Sequence, residues 1–169
     1  MTIDQSLLTS ERHQSITNAL NEDIGTGDVT AELIGKHDKS SASMITRENC
    51  VVCGIDWVNE TFKRLDDSIE LTWLVNEGQH VSANTELLKL RGNTRMLLTG
   101  ERTALNFLQL LSGVASKAAN YATLVDGTDI KILDTRKTLP GLRFAQKYAV
   151  EVGGCFNHRI ALYLSLIHI

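Results

Sequence analysis

The sequence has few cysteines and no long apolar run, and each shortage excludes a class of protein. Three cysteines in 169 residues do not form the dense disulfide framework of a small secreted protein. No stretch approaches the roughly 20 apolar residues that a membrane-spanning helix needs. Residues 1–14 contain no apolar run that would indicate a signal peptide. We therefore expect a protein of the reducing cytoplasm that has no membrane partner.

Several recurrent catalytic and metal-binding signatures are also missing. The chain has no G-x-S-x-G nucleophile elbow, no P-loop and no G-x-G-x-x-G fingerprint, which argues against a covalent hydrolase, a nucleoside triphosphatase and a dinucleotide dehydrogenase. Cys50 and Cys53 fit a C-x-x-C spacing, but a second ligand pair at zinc-site spacing is lacking. Because both lie in a strand-like run over residues 44–54, we interpret them as buried strand cysteines.

The composition is typical of a globular protein with a core, since 43% of the residues are hydrophobic and 22% are charged. The formal net charge of −3 does not indicate a nucleic-acid partner. The charge is uneven, however, because residues 130–163 hold six basic and two acidic side chains. A basic segment on an acidic chain suggests a site for a small anion. Two of the six, Arg143 and Lys147, are interpreted instead as part of a solvated helix face.

The apolar spacing of the first half predicts a small α+β unit. We expect one or two short helices over 5–21, a helix over 55–65, and strands over 43–54, 69–75, 79–81 and 87–90. Two glycines and three carboxylates within residues 22–30 indicate a turn, in which Asp28 is expected to cap the next helix. The alternative for these carboxylates is metal binding.

A long helix is predicted to begin at Thr94, because apolar residues recur at helical spacing from Leu97 to Ala115. A second face of this helix is polar, so another backbone or a ligand could approach it; its residues are Arg102, Asn106, Gln109 and Gly113. For Arg102 alone, a solvated or salt-bridged arginine is the alternative interpretation.

The pattern changes after residue 127 to strand, loop, helix and strand, which predicts the start of a parallel α/β unit. The strands are expected at 130–133 and just before 157–159, and the intervening helix is expected to have Pro140 in its first turn and to run to about Val150. Four basic residues follow the two strand ends: Arg136, Lys137, His158 and Arg159. In parallel α/β barrels that end carries the active site, so we expect these four, called the cation cluster here, to converge. Arginine forks match carboxylate or phosphate oxygens two at a time.

Several motifs together resemble those of the quinolinate phosphoribosyltransferase family over residues 15–163. They are residues 22–30 (EDIGTGDVT), 46–49 (TREN), 98–106 (LTGERTALN), 111–116 (LSGVAS), 133–143 (LDTRKTLPGLR), 147–148 (KY), 153–154 (GG) and 157–159 (NHR). The resemblance implies an α+β N-terminal sandwich domain followed by the first part of an open α/β, TIM-like barrel. The corresponding boundaries are 1–111 for the sandwich with its linking helix and 112–163 for the start of the barrel.

The family resemblance also implies an activity, a pentosyl transfer in NAD biosynthesis. Quinolinate and phosphoribosyl pyrophosphate would give nicotinate mononucleotide, pyrophosphate and carbon dioxide, with Mg²⁺ as cofactor. The implied substrate-binding residues are Arg102, Thr135, Arg136, Lys137, His158 and Arg159, of which Lys137 and His158 are the catalytic candidates. Arg102 would serve the neighbouring subunit of a homodimer or dimer-based oligomer.

The last residues depart from the family pattern. Residues 164–169 (LSLIHI) match a translated sequencing adapter and are expected to be a non-native tail. The family's acidic metal ligands are then expected to lie in a missing part, and the chain itself to be inactive. Two alternatives stay open: a related type II phosphoribosyltransferase for another carboxylated ring, and a non-catalytic fragment that dimerises or binds anions.

Overall fold

The computed structural model describes residues 3–29 and 31–161 of the chain. Within them lie the helices α1 (Gln5–Ile24), α2 (Ile55–Leu65), α3 (Thr94–Leu124) and α4 (Arg143–Val152), a 3-10 helix (Ala31–Leu33), and the strands β1 (Lys39–Ile45), β2 (Cys50–Val51), β3 (Glu70–Trp73), β4 (His80–Val81) and β5 (Glu86–Asn93). The described part is therefore α+β, as the sequence predicts.

The N-terminal segment is one continuous helix whose two ends are fixed by local hydrogen bonds. Asp4 caps α1 by accepting hydrogen bonds from the amides of Ser6 and Leu7. Gly25 ends the helix at a φ of 54°, which a residue with a Cβ rarely adopts. Asp28 Oδ1 then accepts the Ala31 amide at 3.0 Å, so the predicted capping role of Asp28 is confirmed for the 3-10 helix.

Two small antiparallel sheets follow. One has the strand order β1-β5-β3, and the other pairs β2 with β4. The prediction of a single strand over 43–54 is wrong, because the Thr46 hydroxyl donates to the Glu48 carbonyl at 2.7 Å and closes a turn there. The chain consequently changes sheets between β1 and β2. The prediction for α2, in contrast, is confirmed at both ends.

The helix α3 is 31 residues long and contributes to two hydrophobic clusters. Phe107, Leu111 and Ala115 pack with α1 and α4, whereas Leu97 and Leu108 pack with α2 and the sheets. The polar face predicted for this helix is exposed at all four of its residues, Arg102, Asn106, Gln109 and Gly113. The predicted domain boundary after residue 111 falls inside this unbroken helix and stays a prediction.

The C-terminal described segment contains one parallel bridge, between Leu133 and Phe156, with α4 between the two partners. The helix begins at Arg143, later than predicted, because Gly141 has a φ of 77° outside the helical region. Gly153 lies directly against the backbone of Ala115 and fits α4 closely onto α3. No helix within 3–29 and 31–161 is both long and apolar enough to cross a bilayer.

Candidate functional site

The strand predicted over 130–133 is reduced to a single parallel bridge, and the two extended segments that this bridge joins meet at the candidate site. The Phe156 amide donates to the Ile132 carbonyl at 2.9 Å, and the Asp134 amide donates to the Phe156 carbonyl at 3.0 Å. Because the two segments run parallel, the residues that follow each of them leave from the same edge. The loop that begins at Thr135 and the segment that begins at His158 therefore start side by side.

Asp134 ties these two segments together. Both of its carboxylate oxygens accept hydrogen bonds from Lys147 Nζ at 2.6 Å. One of the oxygens, Oδ1, also accepts the backbone amide of His158 at 2.8 Å. A single carboxylate thus joins the two segments of the parallel bridge and α4.

The expectation for Lys147 is wrong. Its side chain is 1% exposed, not solvated, and it forms an ion pair with Asp134, whose side chain is 8% exposed. The burial is intelligible because the chain supplies a matching carboxylate, without which an ammonium group would not leave water. Arg143, the other residue of that expectation, is half-buried and donates from Nε to the Thr138 hydroxyl at 3.2 Å.

The loop over residues 135–142 is held by further hydrogen bonds. The Thr135 hydroxyl accepts the Lys137 amide at 3.1 Å. The Gln146 side chain, on α4, accepts the Leu139 amide at 2.8 Å. The loop that carries Thr135, Arg136 and Lys137 is therefore fixed to the helix that follows it.

The cation cluster differs in exposure from residue to residue. Lys137 is exposed, as is Thr135, whereas Arg136, His158 and Arg159 are half-buried. Arg136 Nε is buried and has no hydrogen-bond partner among residues 3–29 and 31–161. A buried, unpaired guanidinium N–H is costly unless a ligand accepts from it. The geometry therefore favours an anion with planar, paired oxygens beside Arg136.

Arg102 lies apart from the cation cluster, on the exposed face of α3. It lines a cleft of about 400 Å³ together with Asp28 and Thr99, whose hydroxyl donates to the Asp28 carboxylate at 2.7 Å. Of the residues that the structure describes, none of the cation cluster lines this cleft. No ion pair of Arg102 is present in that same part of the chain, so its guanidinium is open to solvent.

The cysteines match their predicted structural role only in part. Cys53 is fully buried, and burial followed by the nearby Glu77 carboxylate raises the pKa of its thiol far above its usual range. Cys50 is half-buried. A thiol that stays protonated is neither a nucleophile nor a metal ligand, so Cys53 belongs to the core.

Asp134 and Lys147 are parts of the site that were not among its predicted residues. Asp134 stands in the loop motif at a strand end, which is a usable signal for a polar role. Lys147 lies in the motif at 147–148, but the helical periodicity gives no signal of its burial, because it lies off the i, i+4 row that Phe144, Tyr148 and Val152 form on α4.

Fold and site together define an α+β protein in which basic residues follow both residues of a parallel bridge. Basic residues in such positions are suited to a small ligand with several negative charges. The chain belongs to the quinolinate phosphoribosyltransferase family. Its residues 28–112 match the profile described as "Quinolinate phosphoribosyl transferase, N-terminal domain". Residues 114–167 match that of the C-terminal domain. This second match includes part of the predicted non-native tail at 164–169, which lies outside the described residues.

Known proteins of this family align with most of the chain. It is 41% identical over 143 residues to a Synechocystis protein described as "Probable nicotinate-nucleotide pyrophosphorylase [carboxylating]", with 85% of this chain and 48% of that protein covered. A solved nicotinate-nucleotide pyrophosphorylase from Francisella tularensis superposes with a TM-score of 0.86 at 45% identity, over 96% of this chain and 57% of that one. A solved chain from Streptococcus pyogenes gives 0.87 at 33% identity, over 96% and 56%. The chain spans about half the length of the curated relatives it matches.

Proposed function

We propose that the whole protein transfers the phosphoribosyl group of phosphoribosyl pyrophosphate to quinolinate, releasing pyrophosphate and carbon dioxide and forming nicotinate mononucleotide. One observation carries this proposal for the described residues. Arg136 Nε is buried without a partner in ranges 3–29 and 31–161, and it follows one residue of the parallel bridge, whereas half-buried His158 and Arg159 follow the other. Quinolinate, with two adjacent carboxylates, supplies the acceptors that this arrangement lacks.

Substrate binding is assigned to both segments. Arg136 and Arg159 would donate hydrogen bonds from their guanidinium forks to the quinolinate carboxylates, and Thr135 would add a hydroxyl at the start of its loop. Lys137 and His158 are the proposed catalytic residues. The exposed Lys137 ammonium is free to meet a phosphate or pyrophosphate oxygen, and the His158 imidazole can donate a hydrogen bond to the same anions.

The chemistry requires two mutually repelling anions to be held in line. The ring nitrogen of quinolinate attacks C1 of the sugar, and the bond from C1 to the pyrophosphate oxygen breaks. Fixed cations stabilise the charge that grows on pyrophosphate as it leaves. The C–C bond to the 2-carboxylate then breaks, its electron pair remains on the ring carbon beside the cationic nitrogen, and a proton takes the place of carbon dioxide.

Three further parts of the proposal concern the assembly and the surroundings. The exposed position of Arg102 supports a role for it in the site of a partner subunit within a homodimer. The proposal includes no nucleic-acid partner and no membrane partner. Magnesium would accompany phosphoribosyl pyrophosphate, but residues 3–29 and 31–161 contain no group of three His, Cys, Asp or Glu side chains fit to hold it. No described residue is therefore proposed as its ligand. The three free cysteines support a reducing, cytoplasmic location.

Release of labelled carbon dioxide from carboxyl-labelled quinolinate tests the function. The assay is run on the 169-residue chain and on a version extended by the sequence that its gene encodes downstream. We expect release by the extended version that depends on phosphoribosyl pyrophosphate and falls at least about a hundredfold in Arg136→Ala, because a lost charge-assisted fork costs several kcal/mol. Release that is indifferent to Arg136 would contradict the proposed site.

The second candidate is transfer to a ring with a single carboxylate, such as nicotinate. The presence of two arginines in the cation cluster, with Arg102 as a third, favours a dicarboxylate. Competition by nicotinate at concentrations equal to quinolinate would decide for the alternative ring. If the extended version binds quinolinate without turnover, the hypothesis of a non-catalytic, anion-binding protein would be supported.

A further inference from the structure

The buried ion pair between Asp134 and Lys147 has a role that its burial alone does not require. We infer that Lys147 is a positioning residue: it neutralises Asp134, so that this carboxylate can hold the two substrate segments together without binding the arginines that the substrate needs. The inference rests on the proposed function, because it names the anion site that the pair keeps open.

The geometry assigns two tasks to one carboxylate. Asp134 Oδ1 fixes the second segment by accepting the His158 amide at 2.8 Å. Asp134 also precedes Thr135 and Arg136 directly in the chain, so its position sets where the first segment leaves the strand. Both oxygens are at the same time within 2.6 Å of Lys147 Nζ.

A carboxylate in this position is a competitor for the substrate. It lies two residues from Arg136, whose Nε is buried and unpaired within the described ranges. Arginine forks bind carboxylates, and a carboxylate on the same loop acts at a high effective concentration. Without Lys147, Asp134 would therefore occupy the guanidinium group that is proposed to bind quinolinate.

An ion pair with a merely structural role behaves differently. A buried pair can often be replaced by neutral residues of similar size with little change or with a gain in stability. Replacing such a pair would then change ligand binding only as far as it changes folding. The inference instead predicts that the charge of Asp134, when Lys147 no longer neutralises it, weakens quinolinate binding. Removing the charge of Asp134 as well should restore that binding.

The test is a double-mutant cycle on the 169-residue chain with quinolinate binding as one readout. Lys147→Met leaves Asp134 unmatched and is expected to weaken quinolinate binding by at least about tenfold, or 1.4 kcal/mol. Asp134→Asn combined with Lys147→Met restores binding to within about threefold, since Asn Oδ1 still accepts the His158 amide. Lys117→Met, an exposed lysine on α3, controls for the loss of one positive charge.

A second readout is independent of substrate. The Arg136 Nε–H signal in ¹H–¹⁵N spectra is expected to shift and to exchange more slowly in Lys147→Met, and to return in the double variant. Amide exchange at His158 should stay slow in both and become fast in Asp134→Ala with Lys147→Met, which lacks the acceptor. If Lys147→Met does not fold, Lys147→Gln carries the same comparison, because its amide donates without a charge.

The outcomes separate this inference from the proposed function. The unsubstituted chain could fail to bind quinolinate while the Arg136 Nε–H signal still shifts in Lys147→Met and returns in the double variant. In that case the inference stands, and quinolinate is excluded as the ligand of this chain. If quinolinate binds and both Lys147→Met and the double variant bind equally well, the inference is overturned. An Arg136 signal that does not respond to Lys147→Met or Lys147→Gln overturns it as well.

Discussion

The Glu77 carboxylate is predicted to be one of the strongest local contributors to stability in the described part of the chain. Its Oε1 accepts the Gly54 amide at 2.8 Å, and its Oε2 accepts the Ile55 amide at 3.0 Å. These are the first amides of α2, and Gly54, at the N-cap, has no side chain to satisfy them. Glu77 therefore replaces the missing cap from a distant loop.

The cost of removing Glu77 follows from these two bonds. A hydrogen bond to a charged group contributes about 1.5–3 kcal/mol, and a carboxylate at a helix N-terminus gains about 0.3–1 kcal/mol from the helix dipole. With partial replacement by water, we expect Glu77→Ala to lower the free energy of unfolding by about 3 kcal/mol. Glu77→Gln keeps one acceptor and should cost about half of that.

Urea unfolding measures the effect, with circular dichroism for the helices and the fluorescence of Trp57 and Trp73 for packing. At a urea m-value of about 2 kcal/mol/M, a loss of 3 kcal/mol lowers the midpoint by about 1.5 M. Glu48→Ala, an exposed control whose side chain makes no hydrogen bond or ion pair within the described residues, should change stability by less than about 0.5 kcal/mol. A midpoint shift for Glu77→Ala no larger than that of Glu48→Ala would refute the capping argument.

Three further predictions concern the core and the chain start. Ellman's reagent at pH 8 should label half-buried Cys50 in the folded chain, and should reach Cys53 only after unfolding; equal rates would contradict its raised pKa and burial. Gly153→Ala should cost about 1–3 kcal/mol, because its Cβ would overlap the α3 backbone, whereas Gly113→Ala, with open space around it, should be neutral or stabilising in thermal melts. Hydrogen bonds from the Ser6 hydroxyl and two amides lower the pKa of Asp4, so its stabilising effect is complete above the ordinary carboxyl pKa and is lost as the pH falls through the lowered one. The stability gap to Asp4→Ala should therefore close below about pH 4, and a gap unchanged at pH 2 would argue against the cap.

Local patterns predicted the local structure well. The helix α2 and the start of α3 agree with the apolar periodicity, and Asp28 caps as its position suggests. The strand over 43–54 failed because β-branched residues also suit the short strands on both sides of the Thr46 turn, and propensity does not reveal a change of sheet.

The burial of Lys147 could not be predicted from the local sequence pattern. Its partner Asp134 is 13 residues away and becomes a neighbour only when α4 packs beside the parallel bridge. A lysine on a polar helix row is usually solvated, and only the tertiary match of charges reverses that expectation. The adjacency of the segments that begin at Thr135 and His158 was easier to predict, because it follows from parallel pairing, whereas the convergence of the cation cluster stays a prediction.

The length of α3 has a consequence for how the chain can be divided. The two family profiles meet between residues 112 and 114, in the middle of a helix whose neighbouring turns belong to different clusters. If either hydrophobic cluster unfolds, apolar turns of α3 become exposed, and these turns are hydrogen-bonded through the helix backbone to the turns of the other cluster. The two clusters should therefore unfold and refold as one cooperative unit. Two polypeptides separated at that junction would each carry half of a helix with one apolar side uncovered. The junction between the two family profiles thus lies within one continuous helix that contributes to both clusters.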